Sequence, residues 1–298
     1  MKIRNEIERR TKVKSKAKIL IWGGFIILMS FFLFYTWGCK KERGKAKKHY
    51  KQGVEYRKQE LDNQAIQEFQ QAIKIDSNYA EAHYELGVLY HAKEDYKAAF
   101  RELKQAVNIN PDYADARFRL GFLYHGLRGY SQALTEFEEV LRIDPNFPRI
   151  HTAIGNVYYE RGLRAWGRAI RLDWSYLLAD TLKEISYKDK DELKKAIDDY
   201  ISGIESDTTN PALFSKLSQA YYTCAQDEYQ KAIAIDSLDT AAQLQLGLTF
   251  SEKGYQNKAM KQYGVLKNID PQAADMLLQV IRQKEEEEKD LKRRGLRK

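Results

Sequence analysis

The sequence predicts an all-α fold, a row of helix-turn-helix hairpins preceded by one helix long and apolar enough to cross a membrane. Three observations carry this. The skeleton of Gly87 to Pro111 returns 34 residues later from Gly121 to Pro145, with Gly, Leu, Tyr, His, Tyr, Ala and Pro in the same places. The 298 residues are 43% apolar, with 17 Gly and only five Pro, the composition of a folded, helix-rich chain. Residues 19–39 carry no charge at all.

The basic N-terminal segment 1–18 holds eight Lys/Arg against two Glu, a net +6, and residues 40–51 hold seven against one, another +6. Since the whole chain is +8, everything else sums to −4, and the body of the protein is mildly acidic. No nucleic-acid partner is expected from such a distribution. Between the basic blocks, a helix rising ~1.5 Å per residue crosses a ~30 Å hydrocarbon layer in about 20 residues, so 19–39 reads as a transmembrane or signal-anchor helix. Trp22 and Trp37 stand near its two ends, as interfacial aromatics do. The run exceeds the ~7 to 15 apolar residues of a cleaved secretory signal.

Lys/Arg counts on the two sides nearly tie, so charge leaves the orientation open. The run ends in Gly38-Cys39-Lys40-Lys41. That ending resembles the lipobox of bacterial lipoproteins, whose apolar segment is cleaved and whose Cys is acylated, although Thr36 and Trp37 replace the aliphatic and small residues preferred there. Cys39 is therefore a candidate for lipidation, and an uncleaved anchor is the other reading; both put the residues after 40 outside the cytoplasm. Cys224 is the only other cysteine, which leaves no disulfide framework and no CxxC metal site.

After a basic linker at 40–45, seven units follow at 46–79, 80–113, 114–147, 148–176, 177–210, 211–239 and 240–273. In this register Gly53, Gly87, Gly121, Gly155 and Gly247 fall at position 8, and Tyr56, Tyr90, Tyr124, Tyr158, Tyr187 and Tyr221 at position 11. Ala65, Ala99, Ala133, Ala196 and Ala259 fall at 20, and Pro111, Pro145 and Pro271 at 32. A 34-residue period with this skeleton resembles the tetratricopeptide repeat (TPR), which implies a TPR superhelix, an α-solenoid of stacked helical pairs. Small residues at 8 and 20, such as Gly87 and Ala99, are expected to face each other where the two helices of a unit cross. Gly inside a helix costs about 1 kcal/mol relative to Ala, so its return argues for a packing need.

Two units break the length. Units 148–176 and 211–239 each lack five residues, and a shortened second helix is expected in both, with Trp166 and Tyr229 near the defect. Unit 177–210 has Lys183 and Glu184 where apolar and small residues belong, so its first helix is weakly specified. Residues 274–298 read as a capping helix with a charged tail, Met276, Leu277, Val280 and Ile281 recurring at helical spacing.

His49, His83 and His151 stand at position 4, a packing position, and are read as structural. No Cys or carboxylate recurs beside His91 and His125, and no GxSxG, P-loop, HExxH or GxGxxG occurs, so no metal, cofactor, small-molecule substrate or enzymatic activity is expected. The resemblance implies instead a peptide-binding groove lined by positions 5, 9 and 12 of the first helices. Those positions give Tyr50, Tyr84, Phe118 and Thr152; Val54, Val88, Phe122 and Asn156; and Arg57, His91, His125 and Tyr159. Of the Lys/Asn carboxylate clamp used by chaperone-binding relatives, only Asn156 fits. The function expected is a membrane-tethered scaffold that binds a peptide or helix of a partner protein, in envelope complex assembly outside the cytoplasm. The alternative is a cytoplasm-facing assembly chaperone for one client.

Overall fold

The computed structural model describes residues 42–173 and 189–294. The apolar run 19–39 and Cys39 lie outside the described residues. Within them the structure is helical throughout, and no helix is long and apolar enough to cross a membrane. The chain divides into two compact units, one ending at Pro111 and one beginning at Asp112.

The first unit contains α1 (42–58), α2 (Asp62–Ile75), α3 (Ala80–Ala92) and α4 (Tyr96–Ile109). They pair as α1 with α2 and α3 with α4. Each pair turns through a residue in the left-handed region, Glu60 (φ 60°) and Glu94 (φ 61°), which no helix can continue through. The second helices end at Asp76 and Asn110, whose backbones are extended, and the Asp76 carboxylate accepts from the Asn78 N–H at 3.1 Å. Phe69, Leu86, Leu89 and Leu103 fill the interior. Complete burial of such side chains stabilises by about 1.5–3 kcal/mol each.

The conserved spacing of glycine has a different partner from the one expected. A Cβ on Gly53 would lie 2.7 Å from the Phe69 ring, and one on Gly87 2.6 Å from Leu103 Cγ. Glycine at position 8 thus makes room for the large residue at position 24, while the alanines at 20 fill the seam beside it. In the second unit Gly121 does the same for Phe137, at 2.5 Å.

The second unit opens with the pair α5 (Ala114–Gly126) and α6 (Tyr130–Ile143), joined through Arg128 at φ 62°. Then the pattern changes. α7 is one helix from Ile150 to Leu172, and α9 is one helix from Pro211 to Ile235. The five residues missing from each of these segments are the turn itself. Without a left-handed residue to break it, the helix runs on, so neither segment is a hairpin and neither has the shortened second helix expected at Trp166 and Tyr229.

The two long helices instead lie antiparallel against each other. The first half of α7 meets the last half of α9: a Cβ on Gly155 would lie 2.5 Å from the Tyr229 ring, His151 meets Glu228 at 2.6 Å, and Thr152 donates to Asp239 at 2.8 Å. These are the contacts of one ordinary hairpin. His151 and Glu228 are 77 residues apart, whereas His49–Glu68 and His83–Glu102 are 19 apart, a difference of 58 residues. One hairpin is therefore interrupted at its turn by an arm. The arm consists of the far half of α7, α8 (Lys190–Ser206) and the near half of α9. It has its own interior of Ala165, Leu193, Ile197, Leu217 and Tyr221, and a buried Ser218 hydroxyl donates to the Gly162 carbonyl at 2.9 Å.

Regularity resumes with α10 (Thr240–Glu252) and α11 (Gln256–Ile269), turned through Gly254 at φ 76°. α12 (Pro271–Arg293) closes the unit, with the Asp270 carboxylate accepting from Ala273 N–H at 3.0 Å and Pro271 opening the helix, where no N–H is needed. It buries Ala274, Leu277 and Ile281; Met276, expected on that face, is 58% exposed.

Candidate functional site

The twelve side chains read as groove-lining fall into three environments. Those at position 5 brace the end of their own hairpin. Tyr50 packs on Phe69 (ring centroids 5.7 Å) and on Tyr79 (5.0 Å), the last residue before the next hairpin, and burial followed by the nearby Glu85 carboxylate pushes its hydroxyl up to about 12. Phe118 packs on Phe137 (5.8 Å) and Phe147 (4.9 Å), and Thr152 is buried on Asp239, again the last residue of a hairpin. Thr152 is thus shut away from any ligand by the capping residue of α10. Tyr84, at the same position in α3, is half-buried.

Position 12 is divided. The Arg57 guanidinium donates to the Glu85 carboxylate of the next hairpin. His125 is half-buried with Nε2 3.3 Å from Glu160 Oε1, within ion-pair range but off hydrogen-bond alignment. His91 is exposed, its ring edge-on to Tyr96 at 5.6 Å. Tyr159 packs on Tyr222 (5.7 Å), and burial raises its hydroxyl far above the ordinary tyrosine value.

At position 9, Asn156 accepts from the buried Tyr229 hydroxyl at 2.8 Å, so the one residue that matched a carboxylate clamp serves the interrupted hairpin. Val54 and Val88 are half-buried. Phe122 is 42% exposed, standing edge-on to Phe118 at 4.9 Å and to Phe137 at 5.8 Å. In α5, then, an aromatic side chain is held in solvent by two rings beneath it.

Sequence reasoning missed the acidic partner of the position-4 side chains. His49–Glu68 (2.6 Å), His83–Glu102 (2.8 Å), Arg117–Glu136 (2.8 Å) and His151–Glu228 (2.6 Å) repeat one cross-hairpin pair, and Gln243 meets Gln262 there in the last hairpin. Glu68, Glu102 and Glu136 recur every 34 residues, which was the available signal. These histidines are structural. Among the described residues no group of three or more His, Cys, Asp or Glu is placed to hold a metal ion.

A cavity of about 440 Å³ lies where α8 meets α6, α7 and α9, lined by Tyr158, Arg161, Lys190, Ile197, Tyr221 and Cys224 among others. Its charges are already engaged: Arg161 lies 4.2 Å over the Tyr221 ring and donates to its hydroxyl, and Glu228 holds His151 and Lys231. Burial pushes the Cys224 thiol up to about 12, which leaves it without a thiolate's reactivity at neutral pH.

Comparison with known proteins agrees with this geometry. Residues 53–93 match the model of the TPR repeat and residues 91–157 that of the tetratricopeptide repeat. Among solved structures, MamA is 16% identical with a TM-score of 0.52, over 78% of this chain and 94% of that one. YrrB, described as a TPR protein with an unusual peptide-binding site, is 15% identical with a TM-score of 0.52, over 82% and 97%. MamA 41-end from Desulfovibrio magneticus RS-1 is 15% identical with a TM-score of 0.52, over 76% and 96%. At such identity the likeness is one of fold. No curated protein matches the sequence. The repeat spacing, the hairpin contacts and the matched repeat models together make the chain a tetratricopeptide-repeat protein.

Proposed function

We propose that the chain is a membrane-tethered scaffold that takes a peptide or helix of a partner protein on the first-helix faces of its early hairpins. The observation that carries this reading is Phe122, a large aromatic side chain left 42% exposed on a rigid support of Phe118 and Phe137. Pre-ordered aromatic side chains on a helical face are the usual anchors of such interfaces. Tyr84, Val88 and His91 offer a comparable strip on α3. The peptide-binding site named for YrrB, a neighbour in fold, supports the same use of the scaffold. The tether is the uncharged run at 19–39, with Cys39 as a site of lipidation if that run is cleaved. Its bacterial-lipoprotein character supports repeats outside the cytoplasm and a role in envelope complex assembly.

The test is affinity capture from solubilised membranes with the full chain and with the Tyr84→Ala/Phe122→Ala variant, read by mass spectrometry. Both side chains are at least partly exposed, so the variant should keep the thermal melt of the parent. Partners held by the parent should fall by tenfold or more, since anchors of this kind contribute about 2 kcal/mol each. Equal capture by a folded variant rules out these faces.

A further inference from the structure

We infer that the outward face of α1 docks on anionic lipid headgroups and holds the first hairpin against the membrane. The inference rests on the membrane-tether reading above. α1 has two unlike faces. Ala46 and Gly53 are buried, and His49, Tyr50 and Val54 turn toward α2. On the opposite side Lys47, Lys48 and Lys51 are all exposed, and with Gly44, Gln52 and Tyr56 they line a shallow groove.

The state of these ammonium groups sets them apart. Their neighbours are compensated: Lys45 pairs with Glu42 at 2.8 Å, Arg43 lies 3.6 Å from Asp76, and Lys58 lies 3.7 Å from Glu55. Among the described residues, no carboxylate lies within ion-pair distance of Lys47, Lys48 or Lys51. The charge is also local. Residues 40–51 sum to +6, whereas the chain beyond the two basic blocks sums to −4. An extended soluble polyanion laid along the repeats would meet that negative remainder. A headgroup layer meets only what adjoins the anchor.

Position supplies the second argument. α1 begins at residue 42, directly after the uncharged run ends at Cys39. Attraction to an anionic surface fades within a Debye length of about 8 Å at physiological salt, so only cations beside the point of entry gain from it. There, each lysine multiplies surface residence by about fivefold. Tyr56, at the end of the same face, has the amphipathic ring suited to the interface.

The full chain, reconstituted into nanodiscs of phosphatidylcholine alone or mixed with phosphatidylglycerol, tests this by amine acylation read peptide by peptide. Lys47, Lys48 and Lys51 should react at least about fivefold more slowly in the anionic discs, recovering at high salt, with Lys261 on α11 unchanged. In K47Q/K48Q/K51Q, Lys45 should lose any dependence on lipid charge. Equal rates in the two discs with the chain incorporated overturn the inference, and so does a dependence that survives in the triple variant. Protection by soluble polyglutamate or an oligonucleotide in neutral discs, as strong as that by phosphatidylglycerol, assigns the face to a soluble polyanion and also overturns it. A chain that enters neither disc removes the tether reading, and the inference falls with it.

Discussion

At Gly155 a single hydrogen atom in place of a methyl group decides which helix α7 can pair with. The Tyr229 ring fills the space a Cβ would take, at 2.5 Å, and its hydroxyl donates to Asn156 one residue further on. Gly155→Ala should therefore destabilise the protein by about 1–3 kcal/mol through overpacking, measured by urea unfolding. On a Tyr229→Ala background most of that loss should vanish, because the clashing ring is gone. Strict additivity of the two substitutions would mean that residues 155 and 229 do not meet.

Glu102 gives the same scale a pH dependence. Burial pushes its carboxyl up, but hydrogen bonds with His83 (2.8 Å) and Arg101 (3.0 Å) outweigh that and leave it below the ordinary glutamate value. The unfolded chain then takes up the proton first on acidification. The stabilisation is complete above the ordinary glutamate value and is lost as pH falls through the lower, folded one. The gap in urea midpoint between the parent and Glu102→Gln should accordingly shrink from about pH 5 to pH 3. A constant gap would show that the pair contributes nothing through its charge.

At the scale of elements, the hairpins before Phe147 were legible because every device in them is local: glycine facing a large residue at position 24, a left-handed turn residue at 60, 94 and 128, and a closing Asp or Asn. The same local signals placed the first half of α7 and the last half of α9 in correct register. What they could not convey was pairing, since nothing near Gly155 states that its partner lies beyond residue 220. The clue was the loss of the turn in both segments, which removes the stop and fuses two helices into one. If the arm is an insertion at that turn, deleting residues 163–220 restores a unit of ordinary length and leaves Gly162 at the left-handed position. The shortened chain should fold with a cooperative urea transition and helical circular dichroism. A noncooperative or aggregated product would mean that the arm is integral to the hairpin.

For the whole molecule, composition and period identified the fold, but exposure was not legible. Thr152, Asn156 and Tyr159 occupy the same register as Tyr50, Phe122 and His91, yet they are consumed by contacts with Asp239, Tyr229 and Tyr222. A groove position in sequence becomes an interior one wherever a neighbouring helix is supplied, and only the folded chain supplies it. The early hairpins therefore carry the accessible part of the face, close in sequence to the basic helix α1. The later ones carry the arm.

The interrupted hairpin also sets the order in which the chain can be finished. Emerging from a ribosome, each hairpin up to α6 can shut as soon as some twenty residues follow its first helix, since its partners lie 19 residues away. The first half of α7 has no such neighbour at hand. It must stay uncovered until Glu228 has been synthesised, 77 residues after His151, and through that interval it is the stretch most in need of shielding from wrong company.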